Sequence, residues 1–212
     1  MNDRFARIAD RVWDNLRADD YAGWDPFDGL NSRFFNALIG LRSIPLVRLV
    51  WLQLHKRLRW NSRPLFRIPK VRNPKGVALV ILALLARYRR TGDAALLDEA
   101  VELGDWLLAN PCDRKKHGGV CWGYPFPWQA RAFFVPLGTP NLITTVYVAK
   151  ALYALRQAGA GYRFVDAAIS AGLYLGEQHY EARGGGAFYR YIPGESVLVH
   201  NAGPSGARTT VT

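Results

Sequence analysis

The chain has 212 residues, of which 50% are hydrophobic and 13% aromatic, enough for a domain with a substantial core. This aromatic content excludes a disordered chain, and a mean hydropathy of -0.08 excludes a polytopic membrane protein. Cys112 and Cys121 have neither disulfide-scaffold nor zinc-site spacing, and the first residues lack a signal-peptide pattern. We therefore expect a cytoplasmic protein without a metal or cofactor.

The formal net charge of +11 is concentrated in one third of the chain. Between Gly29 and Gly92 there are 14 Lys or Arg residues and no Asp or Glu. Such a block favours an anionic partner, and residues 42–75 could face an anionic membrane surface. The alternative is a solvated basic face that keeps the protein soluble. The block contains no nucleic-acid reading motif, so nucleic acid is not an expected partner.

The N-terminal third predicts three helices separated by turns. Apolar residues at three- and four-residue spacing indicate a helix over residues 4–18, and a loop rich in turn formers follows. Further helices are expected at about 31–41 and 44–60, the second with Ser43 as its cap and Pro45 in its first turn. Its apolar stretch is too short to span a bilayer, but an amphipathic helix lying on a membrane surface stays open.

The following residues predict helical hairpins. A nearly all-apolar helix over 75–90 is followed by Asp93, which can cap a second helix reaching Asn110. The arrangement recurs 67 residues later, where residues 149–155 match residues 82–88. Repeated helical hairpins predict an all-α fold of the α-repeat or α/α-toroid type.

Two non-helical stretches follow the second helix of each predicted pair. One covers residues 112–141 and is rich in aromatic residues, and the other, residues 184–195, has the pattern of a short β-hairpin. In a toroid of hairpins, both stretches would lie at the same rim and face one another. Long ordered loops of this kind are usually functional.

Four segments together carry a resemblance to a known family: residues 23–32, 73–75, 121–129 and 139–141. In this order they resemble the α/α-toroid proteins of bacterial exopolysaccharide and capsule loci, the J type of the Vibrio polysaccharide clusters. That family is similar to six-hairpin glycosidases and to the squalene-cyclase and prenyltransferase toroids. The resemblance extends over about residues 21–202.

The resemblance implies a carbohydrate-related protein of exopolysaccharide or capsule biosynthesis, with a polysaccharide or oligosaccharide as its partner. Whether it is a glycan-hydrolysing or glycan-modifying enzyme is open, and a non-catalytic glycan-binding or scaffold component at the membrane surface is the alternative. A terpenoid cyclase-like enzyme is less favoured because the chain has no Asp-rich DDxxD or DxDD run.

The resemblance also implies that relatives continue into further helix pairs where this chain ends. Residues 203–212 contain Pro and two Gly without helical periodicity, which indicates an irregular tail, produced by a frameshift or truncation. The expected architecture is therefore one partial toroid domain over residues 1–202, with three to four hairpins rather than a closed ring.

The site prediction starts from two carboxylates, Asp25 and Asp28, because a glycosidase needs a pair of carboxyl groups. They are tentative catalytic residues, and the alternative is that they cap the turn through Asx hydrogen bonds. Aromatic platforms and polar handles predict ligand-binding residues near them. These are Trp24, Trp122, Tyr124, Trp128, Gln129, Arg131, Tyr189, His200 and Asn201. We expect the site where the Asp25–Asp28 loop meets the loop over residues 122–131.

Overall fold

A computed structural model describes residues 3–130, 133–183 and 186–195. The described residues are mostly helical, which confirms the largely α fold expected from the sequence. The predicted ligand residues Arg131, His200 and Asn201 and the predicted irregular tail lie outside the described residues.

The chain divides into two compact units, a division within the predicted single domain. Unit 1 combines Met1–Asn73 with Pro125–Val135, and unit 2 combines Pro74–Tyr124 with Pro136–Thr212. Part of the long aromatic loop thus belongs to each unit.

Unit 1 contains α-helices, 3₁₀ helices and small antiparallel sheets. Its elements in chain order are α1 (Asp3–Ala18), β1 (Ala22–Gly23), a 3₁₀ helix (Asp28–Asn31), α2 (Arg33–Ala37), a second 3₁₀ helix (Leu41–Ser43), α3 (Pro45–Arg57), β2 (Val71–Arg72), β3 (Trp128–Gln129) and β4 (Phe134–Val135). Strand β1 pairs with β2 through Ala22 and Arg72, and β3 pairs with β4 through Trp128 and Val135. Helix α3 packs against both 3₁₀ helices and against β3.

Helices α2 and α3 are shorter than the sequence predicts, and α3 ends at Arg57 rather than at about residue 60. The helix expected over 31–41 is α2, which ends at Ala37, and Gly40 then adopts a φ of +92°, a left-handed conformation that turns the chain. Pro45 opens α3 as predicted, but the prediction that Ser43 caps it was wrong. Ser43 belongs to the second 3₁₀ helix, and the N-cap position is occupied by Ile44, which makes no side-chain cap.

The core of unit 1 is built largely from aromatic rings. Leu30, Phe35 and Leu52 are buried together. The Trp51 ring stacks on Phe35 at 5.0 Å between centroids and meets Phe66 edge-on at 5.1 Å. Offset and edge-to-face arrangements such as these are the favourable geometries for aromatic pairs.

Unit 2 contains the predicted helical hairpins. Its elements are α4 (Pro74–Thr91), α5 (Ala94–Ala109), α6 (Arg114–His117), α7 (Leu142–Gln157), α8 (Tyr162–Gln178), β5 (Tyr180–Arg183) and β6 (Gly186–Tyr189). Helix α4 packs on α5, α7 packs on α8, and α4 and α7 pack side by side. The two hairpins are therefore neighbours within one core.

The ends of these helices follow the signals in the sequence. The side chain of Asp93 accepts a hydrogen bond from the amide of Ala95, which confirms the predicted cap of α5. Gly92 and Gly159, the matched glycines of the two hairpins, both have positive φ angles, of +71° and +95°. Each ends the first helix of its pair in a conformation that side chains other than glycine adopt at a cost.

The β-hairpin predicted over residues 184–195 begins earlier than expected. Strands β5 and β6 pair antiparallel, with Tyr180 opposite Tyr189.

Within the part of the chain that the structure describes, no helix is both long enough and apolar enough to cross a bilayer.

Candidate functional site

The two predicted catalytic carboxylates hold the turn between β1 and the first 3₁₀ helix. The amide of Phe27 donates to Asp25 Oδ1 and the amide of Asp25 donates to Asp28 Oδ2, both at 2.9 Å. These are the turn-capping hydrogen bonds of the alternative interpretation. Catalysis by the pair stays a prediction.

Asp28 is also the anionic half of a buried ion pair. Its carboxylate accepts a hydrogen bond from Arg63 Nε at 3.0 Å, and the Asp28 side chain is only 2% exposed. Arg63 Nη2 also donates to the backbone carbonyl of Asp25 at 2.9 Å, so the guanidinium closes the loop. Burial raises the pKa of Asp28, opposed by the hydrogen bond from Asp25 and by the charge of Arg63. These contacts are those of a carboxylate that stabilises the loop.

His55 lies in the same core with a matching polar partner. Its Nδ1 is 2.8 Å from the hydroxyl oxygen of Ser62, and its ring meets Phe66 edge-on. Burial, reinforced by the charge of Arg63, lowers the pKa of His55. The imidazole is therefore neutral at pH 7 and belongs to the core around the Asp28–Arg63 pair.

Trp24, a predicted sugar platform, anchors the turn from its other side. Its Nε1 donates to the carbonyl of Ile68 at 3.0 Å, and Lys70 Nζ lies 5.0 Å from the centre of its ring. Lys70 in turn pairs with Asp19 at 2.5 Å. The half-buried indole keeps part of its surface open, so a ligand role for Trp24 stays a prediction.

Two further predicted ligand residues are enclosed within unit 2. Trp122 is 1% exposed, and its Nε1 donates to the carbonyl of Leu107 at 2.9 Å. Tyr189 is 8% exposed and packs in one cluster with Cys121 and Leu142. Both side chains stabilise the core of unit 2, and their burial disfavours the predicted ligand roles.

The two non-helical stretches meet within unit 2. The hydroxyl of Tyr191 donates to that of Tyr124 at 3.2 Å, and the amide of Leu142 donates to the carbonyl of Tyr191 at 2.9 Å. The expectation that the stretches face one another is confirmed at Tyr124 and Tyr191, whereas Leu142 is the first residue of α7. Tyr191 lies on the predicted hairpin two residues from Tyr189 but was not among the predicted ligand residues.

Cys112 and Cys121 are neighbours with free thiols. The amide of Cys112 donates to the carbonyl of Cys121 at 2.9 Å. A hydrogen bond between the side chains lowers the pKa of Cys112 and raises that of Cys121. Among the described residues, no cluster of three or more His, Cys, Asp or Glu could hold a metal ion.

Gln129 is the predicted ligand residue with the most organised surroundings. Its Nε2 donates to the carbonyls of Ala130 and Phe133 at 2.7 and 3.0 Å. These bonds fix the amide so that Oε1 accepts a hydrogen bond from Arg48 Nε at 2.9 Å. The neighbouring Trp128 ring meets Phe133 edge-on at 5.6 Å. Gln129 thus acts as a positioning group for Arg48 on helix α3.

Arg48 lines a cavity of about 310 Å³ within unit 1. Its guanidinium carbon lies 4.1 Å from the centre of the Phe134 ring. Arg42, which also lines the cavity, donates from Nη1 to the carbonyl of Asn36 at 3.2 Å. The full lining combines two cations, two neutral polar side chains and an apolar wall: Arg42, Arg48, Asn36, Ser43, Leu30, Phe35, Pro127 and Phe134.

The charge of this cavity is not compensated locally. In the described ranges, no carboxylate pairs with Arg42 or Arg48, and the cavity lining contains no acidic residue. A cavity with two guanidinium groups and neutral hydrogen-bonding partners favours an anion that also carries hydroxyl groups. The apolar wall gives such a ligand a face to pack against.

The sequence prediction located part of this site. Strand β3, which carries Trp128 and Gln129, packs against the 3₁₀ helix Asp28–Asn31 within unit 1, so the two predicted loops come together there. The cavity, however, is lined by Arg42 and Arg48, which the sequence marked only as members of the basic block. Phe134 was missed, and only its place beside the aromatic loop could have indicated it.

No family model, curated protein or solved structure matches the chain.

Proposed function

We propose that this protein binds an anionic glycan as a non-catalytic component of exopolysaccharide or capsule assembly. The observation that carries the proposal is the cavity of unit 1, where Arg48 is held by Gln129 over the ring of Phe134. Guanidinium groups bind carboxylates and phosphates through paired hydrogen bonds, and both anions occur on acidic sugars. The family resemblance carried by residues 23–32, 73–75, 121–129 and 139–141 supports a polysaccharide or oligosaccharide as the ligand.

The binding role is favoured over glycan hydrolysis by the state of the carboxylates. A hydrolase of the expected kind needs two carboxyl groups facing the scissile bond. Asp28 is 1% exposed and engaged with Arg63, and Asp25 Oδ1 accepts a hydrogen bond from the turn amide of Phe27. Recruiting them would break the ion pair that closes the loop.

We further infer that the helix pairs of unit 2 form an arc of an α/α toroid. Support comes from the side-by-side packing of α4 with α7 and from the matched glycines, Gly92 and Gly159.

Calorimetric titration with oligogalacturonate, an oligosaccharide of uronic acids, tests the proposal. Replacing Arg48 by Met removes the cation and keeps an apolar stem, so the variant should bind at least about tenfold more weakly. Arg89→Met on α4 in unit 2 is the matched control and should bind like the wild type. A neutral malto-oligosaccharide should bind far more weakly than the uronate.

Two results would overturn the binding role. Equal losses in Arg48→Met and Arg89→Met would mean that the anion recognises net charge rather than the cavity. Release of reducing ends by the wild type, abolished by Asp25→Asn with binding unchanged, would make the protein a hydrolase instead.

A further inference from the structure

Helix α3 carries an exposed apolar face. Leu46, Val50 and Leu54 are spaced four residues apart and are 68%, 60% and 45% exposed. Four-residue spacing places all three on one side of the helix. The opposite side carries Leu52 and His55, which are buried in unit 1. Helix α3 thus carries apolar side chains on two opposite faces, one buried in unit 1 and one exposed.

Apolar side chains on either side of α3 are exposed as well. Ile39 is 86% exposed and Leu41 is 49% exposed in the segment before the helix. Trp60 and Leu65 follow it and are 56% and 68% exposed. A monomeric protein in water rarely exposes so many large apolar residues within one short segment. Trp in addition prefers the boundary between water and a bilayer.

The charges of the same segment are exclusively positive. Arg57, the last residue of α3, lies three positions beyond Leu54, and three-residue spacing keeps it on the same exposed side of the helix. Arg59 follows in the exposed segment after the helix. No acidic residue occurs between Gly29 and Gly92. The exposed face therefore combines apolar side chains with Arg57 and Arg59, and among the residues that the structure describes no carboxylate forms an ion pair with either cation.

We propose that this face of α3 docks on an anionic lipid surface, with the helix lying in the plane of the interface. Helices of this kind insert their apolar side chains at the boundary of headgroups and acyl chains while Lys and Arg attract anionic lipids. The face here is defined as Leu46, Val50, Leu54 and Arg57, flanked by Trp60. The lipid role is separate from glycan binding in the cavity.

Charge complementarity selects a lipid over a second copy of the chain. In a symmetric dimer through this face, Arg57 would approach the basic segment of the partner copy without an acidic residue to pair with. An anionic bilayer provides both the apolar layer and the opposite charge.

Flotation with phosphatidylcholine vesicles, with and without phosphatidylglycerol, tests the proposal. The wild type should float with the anionic vesicles and stay behind with the neutral ones. The triple variant Leu46→Gln, Val50→Gln, Leu54→Gln should bind at least about tenfold more weakly. Arg57→Gln should weaken binding by about fivefold, the effect of one cation near an anionic surface.

The controls use equivalent positions of unit 2. Ile169 and Leu173 on α8 are 58% and 63% exposed with the same four-residue spacing. Their double replacement by Gln, and Arg89→Gln on α4, should leave flotation unchanged. The triple variant should keep the wild-type affinity for oligogalacturonate, which shows that it is folded and separates a failure of lipid binding from a failure of glycan binding.

Three results would overturn the lipid role. The first is equal flotation of the wild type and the triple variant, and the second is equal flotation with neutral and anionic vesicles. The third is a wild-type dimer in sedimentation that the triple variant converts to a monomer, because a second copy would then cover the face. If the triple variant fails to fold, unchanged flotation of Arg57→Gln overturns the proposal instead.

Discussion

Units 1 and 2 solve the problem of a stable core in different ways. Unit 2 packs long helices whose buried residues are mostly aliphatic, such as Ile81, Leu107 and Leu155. Unit 1 packs α3 against a core that contains the rings of Phe35, Trp51 and Phe66, and it also holds the buried Asp28–Arg63 pair. The difference indicates that unit 1 depends on a few specific polar contacts, whereas unit 2 depends on close packing.

Unit 1 also carries both proposed binding features. Arg42 and Arg48 line its cavity, and the apolar face of α3 is exposed beside them in sequence. Helix α3 can expose Leu46, Val50 and Leu54 because only its opposite face, with Leu52 and His55, packs into the core of unit 1. The cost is that loss of a single polar contact should affect unit 1 strongly.

The largest expected effect follows from removing the anion of the buried pair. Asp28→Ala leaves Arg63 and the amide of Asp25 without their partner, so the variant should lose about 3–5 kcal/mol of unfolding free energy. Urea denaturation of the purified variant measures the loss. Asp19→Ala, which breaks the exposed pair with Lys70, is the matched control and should lose less than about 1 kcal/mol. Equal losses in both variants would remove the distinction between buried and exposed pairs in unit 1.

Unit 2 contains a buried histidine, His179, whose titration should affect stability in acid. His179 is 0% exposed, and its Nδ1 lies 2.8 Å from the carbonyl of Arg190. The oxygen can only accept, so Nδ1 carries the proton and donates. Burial lowers the pKa of His179 to about 4, mainly because the charged imidazolium is desolvated.

This shift predicts acid sensitivity for unit 2. The folded pKa is below the ordinary value of 6.5, so between pH 6.5 and about 4 the unfolded chain binds a proton that folded His179 does not. The contribution of neutral His179 to the unfolding free energy is fully present above pH 6.5. It should fall by roughly 3 kcal/mol as the pH approaches 4. His179→Gln should be less stable at pH 7, with a smaller decrease on acidification. Parallel stability profiles for the two proteins would contradict the assignment.

The sequence predicted the helical hairpins because their signals are local. Asp93 caps α5 by accepting a hydrogen bond from the amide of Ala95, two positions later. Gly92 turns the chain immediately after α4. Helix α2 was predicted too long because apolar residues continue past Ala37, whereas the left-handed Gly40 interrupts them. Local patterns identify a helix more reliably than they locate its end.

The site was only partly predictable because its contacts are distant in sequence. Asp28 and Arg63 are 35 residues apart, and Arg48 and Gln129 are 81 residues apart. Gln129 was identified as a polar residue among aromatics, but no local pattern connects it to Arg48. In the sequence, Asp25 and Asp28 fit both a catalytic pair and a turn. The turn interpretation is favoured by the ion pair of Asp28 with Arg63, which the local sequence does not indicate.

The smallest predicted effects test close packing in unit 2. A Cβ atom added at Gly104 of α5 would lie 2.5 Å from Leu155 Cδ1 and 2.8 Å from Phe164 Cε1, and both side chains are fully buried. Gly104→Ala should therefore destabilise the protein by about 1–3 kcal/mol, because the neighbours have no space into which to shift. Thermal denaturation at neutral pH measures the change.

Gly176 of α8 provides the opposite case with the same substitution. It is exposed, and no atom lies within 4 Å of a Cβ added there. Gly176→Ala should stabilise the protein by about 0.5–1 kcal/mol, because alanine loses less backbone freedom than glycine when a helix forms. Opposite signs for the two substitutions would show that packing between helices, rather than helix propensity, limits the stability of unit 2. If Gly104→Ala were also stabilising, α5 would have room to move away from α7 and α8, and the contrast between a closely packed unit 2 and a polar-stabilised unit 1 would fail.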